Sequence, residues 1–401
     1  MQEVQQTGLV ESPEKSVSNL NAPYPWIIHP VVDILFCCGV FPVIVSLVML
    51  IGFRISMTNP VGLSLWALWI LGVHLFQDAH GVASWHRILT HQETMASVKK
   101  YVIVITVIAA LAFFPLLLNE WLLIICVRVY LLIGVQHWLM QSYGVTLIYC
   151  MKRGYVLDKF ERKLMLLFFR SIMCYAWVRF FTVKAYGESG TYGLQVPFVG
   201  PLPEWIMLTF NAVMFLMTAA FGAQVIRHYL VKKQLLPVPA IVLIATTLWV
   251  YLLPADTFLL LGYFIGAFYH GSQSWCITTS FHCKANGLPK GVSNDTIWKV
   301  FFRKSTWAYL FLLFVFSEVL FTIAPRVLTH FGISLGVTFA TIVVVFSTHH
   351  FMCDSAIWKL KDPKIRTLLI QYMSLQPGLS TMITACFTSA ESTDRNLSEL
   401  A

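Results

Sequence analysis

Charge is scarce in this chain. Asp, Glu, Lys and Arg make up 12% of its 401 residues, against 57% hydrophobic, and mean hydropathy is +0.71. A soluble domain carries about 25% charged residues, so the composition excludes one and calls for a bilayer as solvent. Familiar catalytic motifs are missing too. No Walker loop, dinucleotide fingerprint or G-x-S-x-G elbow occurs, which removes support for ATP-driven transport, nicotinamide binding and serine hydrolysis. The nine cysteines form no CxxC pair, so Cys276…His282-Cys283 is a poor zinc motif. Several cysteines (Cys37, Cys38, Cys126, Cys150, Cys174) lie in apolar runs, where a thiol acts as a small hydrophobe, and no disulfide framework is expected. The opening residues have neither the basic nor the apolar region of a signal peptide.

Long apolar runs are what the chain does have. A span needs roughly 20 such residues, with about 17 to 25 tolerated. Ten candidates fall near 30–52, 61–80, 101–118, 121–149, 164–183, 205–226, 239–253, 257–276, 307–324 and 333–353. The seventh is short and runs to Pro254; Asn119 and Glu120 alone separate the third from the fourth. Basic residues cluster after the even spans, as in Arg87/Lys99/Lys100, Lys152/Arg153/Lys159/Arg162/Lys163, Arg227/Lys232/Lys233 and Lys284/Lys290/Lys299/Arg303/Lys304. The opposite loops offer only Arg54, Lys184 and Arg326. That alternation accounts for the formal charge of +9 as an orientation signal, not a nucleic-acid surface. The expected fold is an all-α integral membrane protein, a bundle of ten transmembrane helices with both termini cytoplasmic. Its parts are a disordered cytoplasmic tail (1–28), a transmembrane domain (29–358) and a cytoplasmic C-terminal segment (359–401).

Histidines recur at one end of the greasy segments. His80, His270 and the pair His349-His350 fall in the last turns of spans two, eight and ten, and His137 lies two to three turns inside span four. Imidazole in hydrocarbon is costly unless something binds it. Under the ten-span topology all of these face the cytoplasm, beside His74, Asp78, His86, His91, Gln141, Gln273 and Asp354. Residues four apart share a helix face, which pairs His74 with Asp78, His137 with Gln141, and His350 with Asp354. Inward-facing His and carboxylate side chains are how helical bundles hold iron. The expected ligands are Asp78, His80, His137, His270, His349, His350 and Asp354. His74, His86, His91, Gln141 and Gln273 are expected to support them or bind substrate. The opposing reading is a set of separate interhelical hydrogen bonds, each worth about 1 kcal/mol in a bilayer. A short echo, HGVASW (80–85) and HGSQSW (270–275), suggests equivalent roles for the two segments.

Scattered His motifs at the cytoplasmic face of a polytopic protein resemble the membrane non-haem metal oxygenases, which include desaturases, hydroxylases and the membrane carotene-cleaving dioxygenases. HRILTH (86–91) looks like the first desaturase box, and the paired histidines at 349–350 look like half of a later one. No HxxHH occurs, and ten spans exceed the usual desaturase count. The resemblance implies a non-haem iron centre, with two irons expected, that activates O₂. It also implies a lipophilic substrate entering from the bilayer and a separate electron donor where the reaction needs one. The expected location is a multi-pass protein of the plasma or inner membrane. The rival class is a proton- or metal-coupled transporter. A membrane acyltransferase would employ one histidine and leave the rest idle.

Overall fold

A computed structural model describes residues 26–52, 64, 71–182, 190–191, 194–252, 259–286, 297–301, 303–360 and 363–370. Helices account for nearly all regular structure. They are α1 (Val40–Gly52), α2 (Ala79–Thr90), α3 (Gln92–Leu118), α4 (Glu120–Lys152), α5 (Lys159–Thr182), α6 (Glu204–Lys232), α7 (Val238–Leu252), α8 (Leu259–Ala285), α9 (Lys304–Glu318), α10 (Leu335–Ile357) and α11 (Pro363–Ile370). One two-residue antiparallel ladder pairs β1 (Gly190–Thr191) with β2 (Leu194–Gln195). Three stretches are wound as π-helix: Asp33–Cys37, Val73–Asp78 and Val319–Ile323.

Among the described residues six helical stretches are long and apolar enough to cross a membrane: Ala96–Leu118, Glu120–Lys152, Lys159–Thr182, Glu204–Lys232, Lys304–Thr329 and Leu335–Ile357. Pro30–Cys37 with Val40–Val48, bent by 53°, makes a seventh if the pair is one span. The expected seventh span is the 15-residue α7. Residues 61–63 and 65–70 of the expected second span, 61–80, lie outside the described residues, as do the side chains that open α8. Large apolar side chains cover the periphery, such as Ile108, Leu111 and Phe114 of α3, Leu208 and Phe215 of α6, and Phe311 of α9. A soluble protein would not expose so much hydrocarbon; a protein solvated by lipid must.

Helix ends follow local chemistry. Asn119 caps α4 by accepting from the Leu122 amide, and Lys152 closes the last turn of that helix. The segment before α1 is tied down by Asp33, whose fully buried carboxylate accepts from the amides of Ile27 (2.6 Å), Ile28 (3.0 Å) and His29 (3.2 Å) and from the Tyr149 hydroxyl of α4 (3.0 Å). His228 is buried against Glu161 at 2.6 Å. Gln224 donates to the same oxygen at 2.9 Å, which clips α5 to α6.

Two glycines fix how closely α8 packs. Gly39 has φ +74°, and a Cβ there would lie 2.0 Å from the Tyr269 ring; Tyr269 in turn bonds Thr247 at 2.7 Å. Gly271 faces the π turn, where a Cβ would meet the Gln77 amide nitrogen at 2.6 Å. Gly81, the matching residue of the echo, has only the His350 ring at 3.8 Å. The two copies therefore differ: one glycine is required by a backbone contact and the other is not. Gly271→Ala is expected to cost about 1–3 kcal/mol, the usual penalty of overpacking. Gly81→Ala is expected to be neutral or stabilising by up to about 1 kcal/mol, because alanine favours a helix. Thermal unfolding of the two variants in detergent checks the contrast.

Candidate metal centre

Four helices deliver one imidazole each to a common point: His80 from α2, His137 from α4, His270 from α8 and His350 from α10. One ligand nitrogen from each ring can be chosen so that all lie within 4.8 Å of one another. The Nε2 atoms of His80 and His270 are 2.9 Å apart. Nitrogens bound at about 2.0–2.1 Å to one ion are separated by about that much when at right angles. Ring centroids lie 4.3 Å apart for His80 and His350, 4.5 Å for His80 and His270, 4.8 Å for His137 and His270, and 5.3 Å for His137 and His350. His80, His270 and His350 are buried, and 13% of the His137 side chain is exposed.

Their hydrogen bonding is incomplete in an informative way. His80 Nδ1 lies 2.8 Å from the Gln77 carbonyl oxygen, to which it donates, and this leaves Nε2 as a lone pair aimed at the other rings. A ligating histidine is held in this way, by a bond from its second nitrogen. Nδ1 of His270, Nε2 of His137 and both nitrogens of His350 are buried with no hydrogen-bond partner. A buried polar atom left without a partner costs about 1–3 kcal/mol. Four rings that each bring one nitrogen to a common spot, three of them with buried nitrogens left unsatisfied, fit a metal ion, which imidazole donors bind readily as Fe, Cu, Zn or Ni.

Parallel helix direction gives the centre a second layer. The residue four positions after each histidine is polar: Ser84, Gln141, Ser274 and Asp354. Four residues advance a helix by about 6 Å, and these side chains pair across helices just as the histidines do. Ser84 donates to Asp354 Oδ1, Ser274 donates to Gln141 Oε1 at 2.5 Å, and Gln141 Nε2 donates to the His270 carbonyl at 3.1 Å. Contacts at both i and i+4 require α2 to run with α10, and α4 with α8. Asp354 stands beside the rings, its oxygens 3.7 Å from His350 Nδ1 and 3.8 Å from His137 Nε2. Those separations exceed a hydrogen bond and leave room for adjustment around an ion.

Other expected site residues lie elsewhere. His349 turns away: its Nδ1 accepts from Trp85 Nε1 at 3.1 Å, and its Nε2 lies 2.9 Å from the Thr106 hydroxyl. Adjacent residues on a helix are about 100° apart, so His349 and His350 cannot face the same point. Asp78 contacts His74 at 3.0 Å, and His74 is also 3.3 Å from Glu318 of α9. Gln273 lies on the second layer, its oxygen accepting from Ser142 at 3.2 Å and Gln141 at 3.4 Å. His86 and His91 are further along the chain, beside His282 and Phe281 respectively. Ser84 and Ser274 were not expected in the site. Their i+4 spacing from His80 and His270 is the signal that marks them.

No matching family model, no similar curated protein and no similar solved structure is found for this chain. The centre is therefore read from its own geometry. Purified protein is expected to carry a tightly held metal, measured by inductively coupled plasma mass spectrometry. His80→Ala, His137→Ala, His270→Ala and His350→Ala should each reduce its content at least tenfold, whereas His349→Ala should retain it.

Proposed function

We propose that this protein is a membrane oxidoreductase that uses non-haem iron at the four-histidine centre to activate O₂ and oxidise a lipophilic substrate. The observation that carries this reading is the meeting of four imidazoles at one point, three of which keep a buried nitrogen without a partner. Four nitrogen donors leave positions open on an ion that prefers six ligands, which a closed structural site would not do. Iron bound there supplies the redox chemistry. The described residues offer a single group of this kind, which favours one ion over the two expected from the resemblance.

The surroundings suit an apolar substrate. Phe351 stacks on His137 at 4.4 Å and Trp138 on His270 at 5.9 Å, so aromatic carbon walls two sides of the centre and excludes water. Asp354, steadied by Ser84, is placed to hold a proton or orient the His137 and His350 rings. A monooxygenation or desaturation would draw electrons from a separate reductase; a dioxygenation would need none. The parallel pairs α2/α10 and α4/α8 agree with their being even spans of a ten-span chain, and the basic residues that follow the even spans favour both termini, and the open end of the site, at the cytoplasm.

One arrangement favours the alternative of a cation- or proton-coupled carrier. His74, Asp78 and Glu318 form an interhelical polar triad, partly exposed on an apolar flank. Carriers place such groups along their path. Aromatic rings wall two sides of the four-histidine centre, which weighs toward an enzyme.

The two readings separate cleanly. Protein loaded with ferrous iron and given a reductant is expected to consume O₂ in the presence of long-chain lipids. His137→Ala should lower the rate at least 100-fold with the fold intact by circular dichroism. Protein that lacks metal yet moves protons or divalent cations across liposomes would overturn the oxidoreductase and establish the carrier.

A further inference from the structure

Beyond the second layer, where α2, α8, α9 and α10 approach one another, lies a cavity of about 10 Å³, room for roughly one water-sized group. Polar side chains line it: His86 and Arg87 from α2, His91 just after it, His282 from α8, Tyr309 from α9, and Thr278, whose hydroxyl donates to the Ser274 carbonyl at 2.8 Å. Among the described residues no carboxylate lines it. The His282 ring stacks on Tyr309 with centroids 3.8 Å apart and planes 8° from parallel, and His86 lies 5.5 Å from His282 and 5.0 Å from Tyr309. Arg87 is locked in place. Its guanidinium carbon sits 4.0 Å from the centroids of both Phe281 and Trp358, and Nη2 donates to the Ile357 carbonyl at 3.0 Å.

This is a fixed positive field with neutral donors around it. Burial, with His86 and His91 nearby, pushes His282 down to about 4; burial and His91 push His86 down, and burial and Arg87 push His91 down. Each ring resists a proton first because it is buried and then because positive charge would gather beside its neighbours, Arg87 in the case of His91. A neutral imidazole still donates one N–H, and a guanidinium matches carboxylate geometry.

We propose that this cavity binds a carboxylate, the head group of a long-chain acid whose tail extends toward the histidine centre. One carboxylate oxygen fills the space and the second remains at the mouth; a phosphate, with three terminal oxygens, does not match so small a recess. Arg87 follows His80 by seven residues on α2, which sets the head group about 10 Å from the centre at 1.5 Å per residue. The carbon presented for oxidation is therefore in mid-chain. The assignment of the acid as substrate rests on the oxidoreductase reading, but carboxylate binding does not require metal.

The test uses full-length protein in detergent after chelator treatment, with binding of a tritiated saturated long-chain acid followed by scintillation proximity. The acid is expected to bind at least tenfold more tightly than its methyl ester and than acetate. His86→Gln, His282→Gln and Tyr309→Phe, which conserve shape, should weaken the acid tenfold and leave the ester unchanged. Equal affinity for acid and ester, or variants that bind the acid as wild type does, would overturn the site. Acetate binding as tightly as the long-chain acid would overturn the head-group assignment, showing a site for free small carboxylates. Because no metal is present, failure of the iron reading leaves these outcomes unaffected.

Discussion

An imidazole nitrogen buried without a partner is a standing cost, and this bundle gathers several at one point. Each loses its water without gaining a hydrogen bond, about 1–3 kcal/mol apiece. The rest of the architecture serves to keep them there. Two parallel helix pairs, α2 with α10 and α4 with α8, present His80, His137, His270 and His350 to one point, and one turn later the same pairs bond again through Ser84 with Asp354 and Ser274 with Gln141. The second layer prevents the helices from sliding or rotating to relieve the first. A rigid scaffold is what a site needs to hold its ligands in place before anything binds.

Much of this was legible in the amino-acid order because a bilayer imposes simple rules. Apolar runs of sufficient length must be helices, and histidines near one end of several runs are too costly to be incidental. Spacing by four singles out Gln141 and Asp354; Asp354 lies 3.7 Å from His350, and Gln141 reaches the His270 carbonyl across the helix pair. What spacing could not do was choose between His349 and His350. Both are equally plausible until the neighbours of α10 are known, and Trp85 and Thr106 claim the first. Asp78 illustrates a different gap. It is two residues from His80, yet the π winding turns it toward His74 and Glu318.

Contacts between distant segments were the least accessible. His282 had significance only as part of an incomplete zinc motif, while tertiary structure sets it against His86 and Tyr309 across three helices. The Glu161–His228 clip between α5 and α6 was likewise invisible, since 67 residues separate its halves. Asp33 belongs to the same class. A lone acid in an apolar stretch suggests a functional group, but its carboxylate is consumed by three amides and one hydroxyl. Hydrophobic patterning reveals where segments lie; it says little about which polar atoms meet.

The π winding at Val73–Asp78 has a consequence for chain length. A π turn accommodates one residue more than an α turn would over the same rise. Everything after it is rotated by about 100° relative to an uninterrupted helix. With that surplus residue absorbed in the wide turn, His80 reaches the other three rings, and Gly271 of α8 is shaped to the bulge it creates. Were the same residues rewound as α-helix, His80 would swing about a quarter-revolution away; loss of one residue between Val73 and Asp78 would instead remove the bulge and leave His80 facing the other rings. In this chain the reading frame of a helix, counted residue by residue, is as much a part of the centre as the side chains that line it.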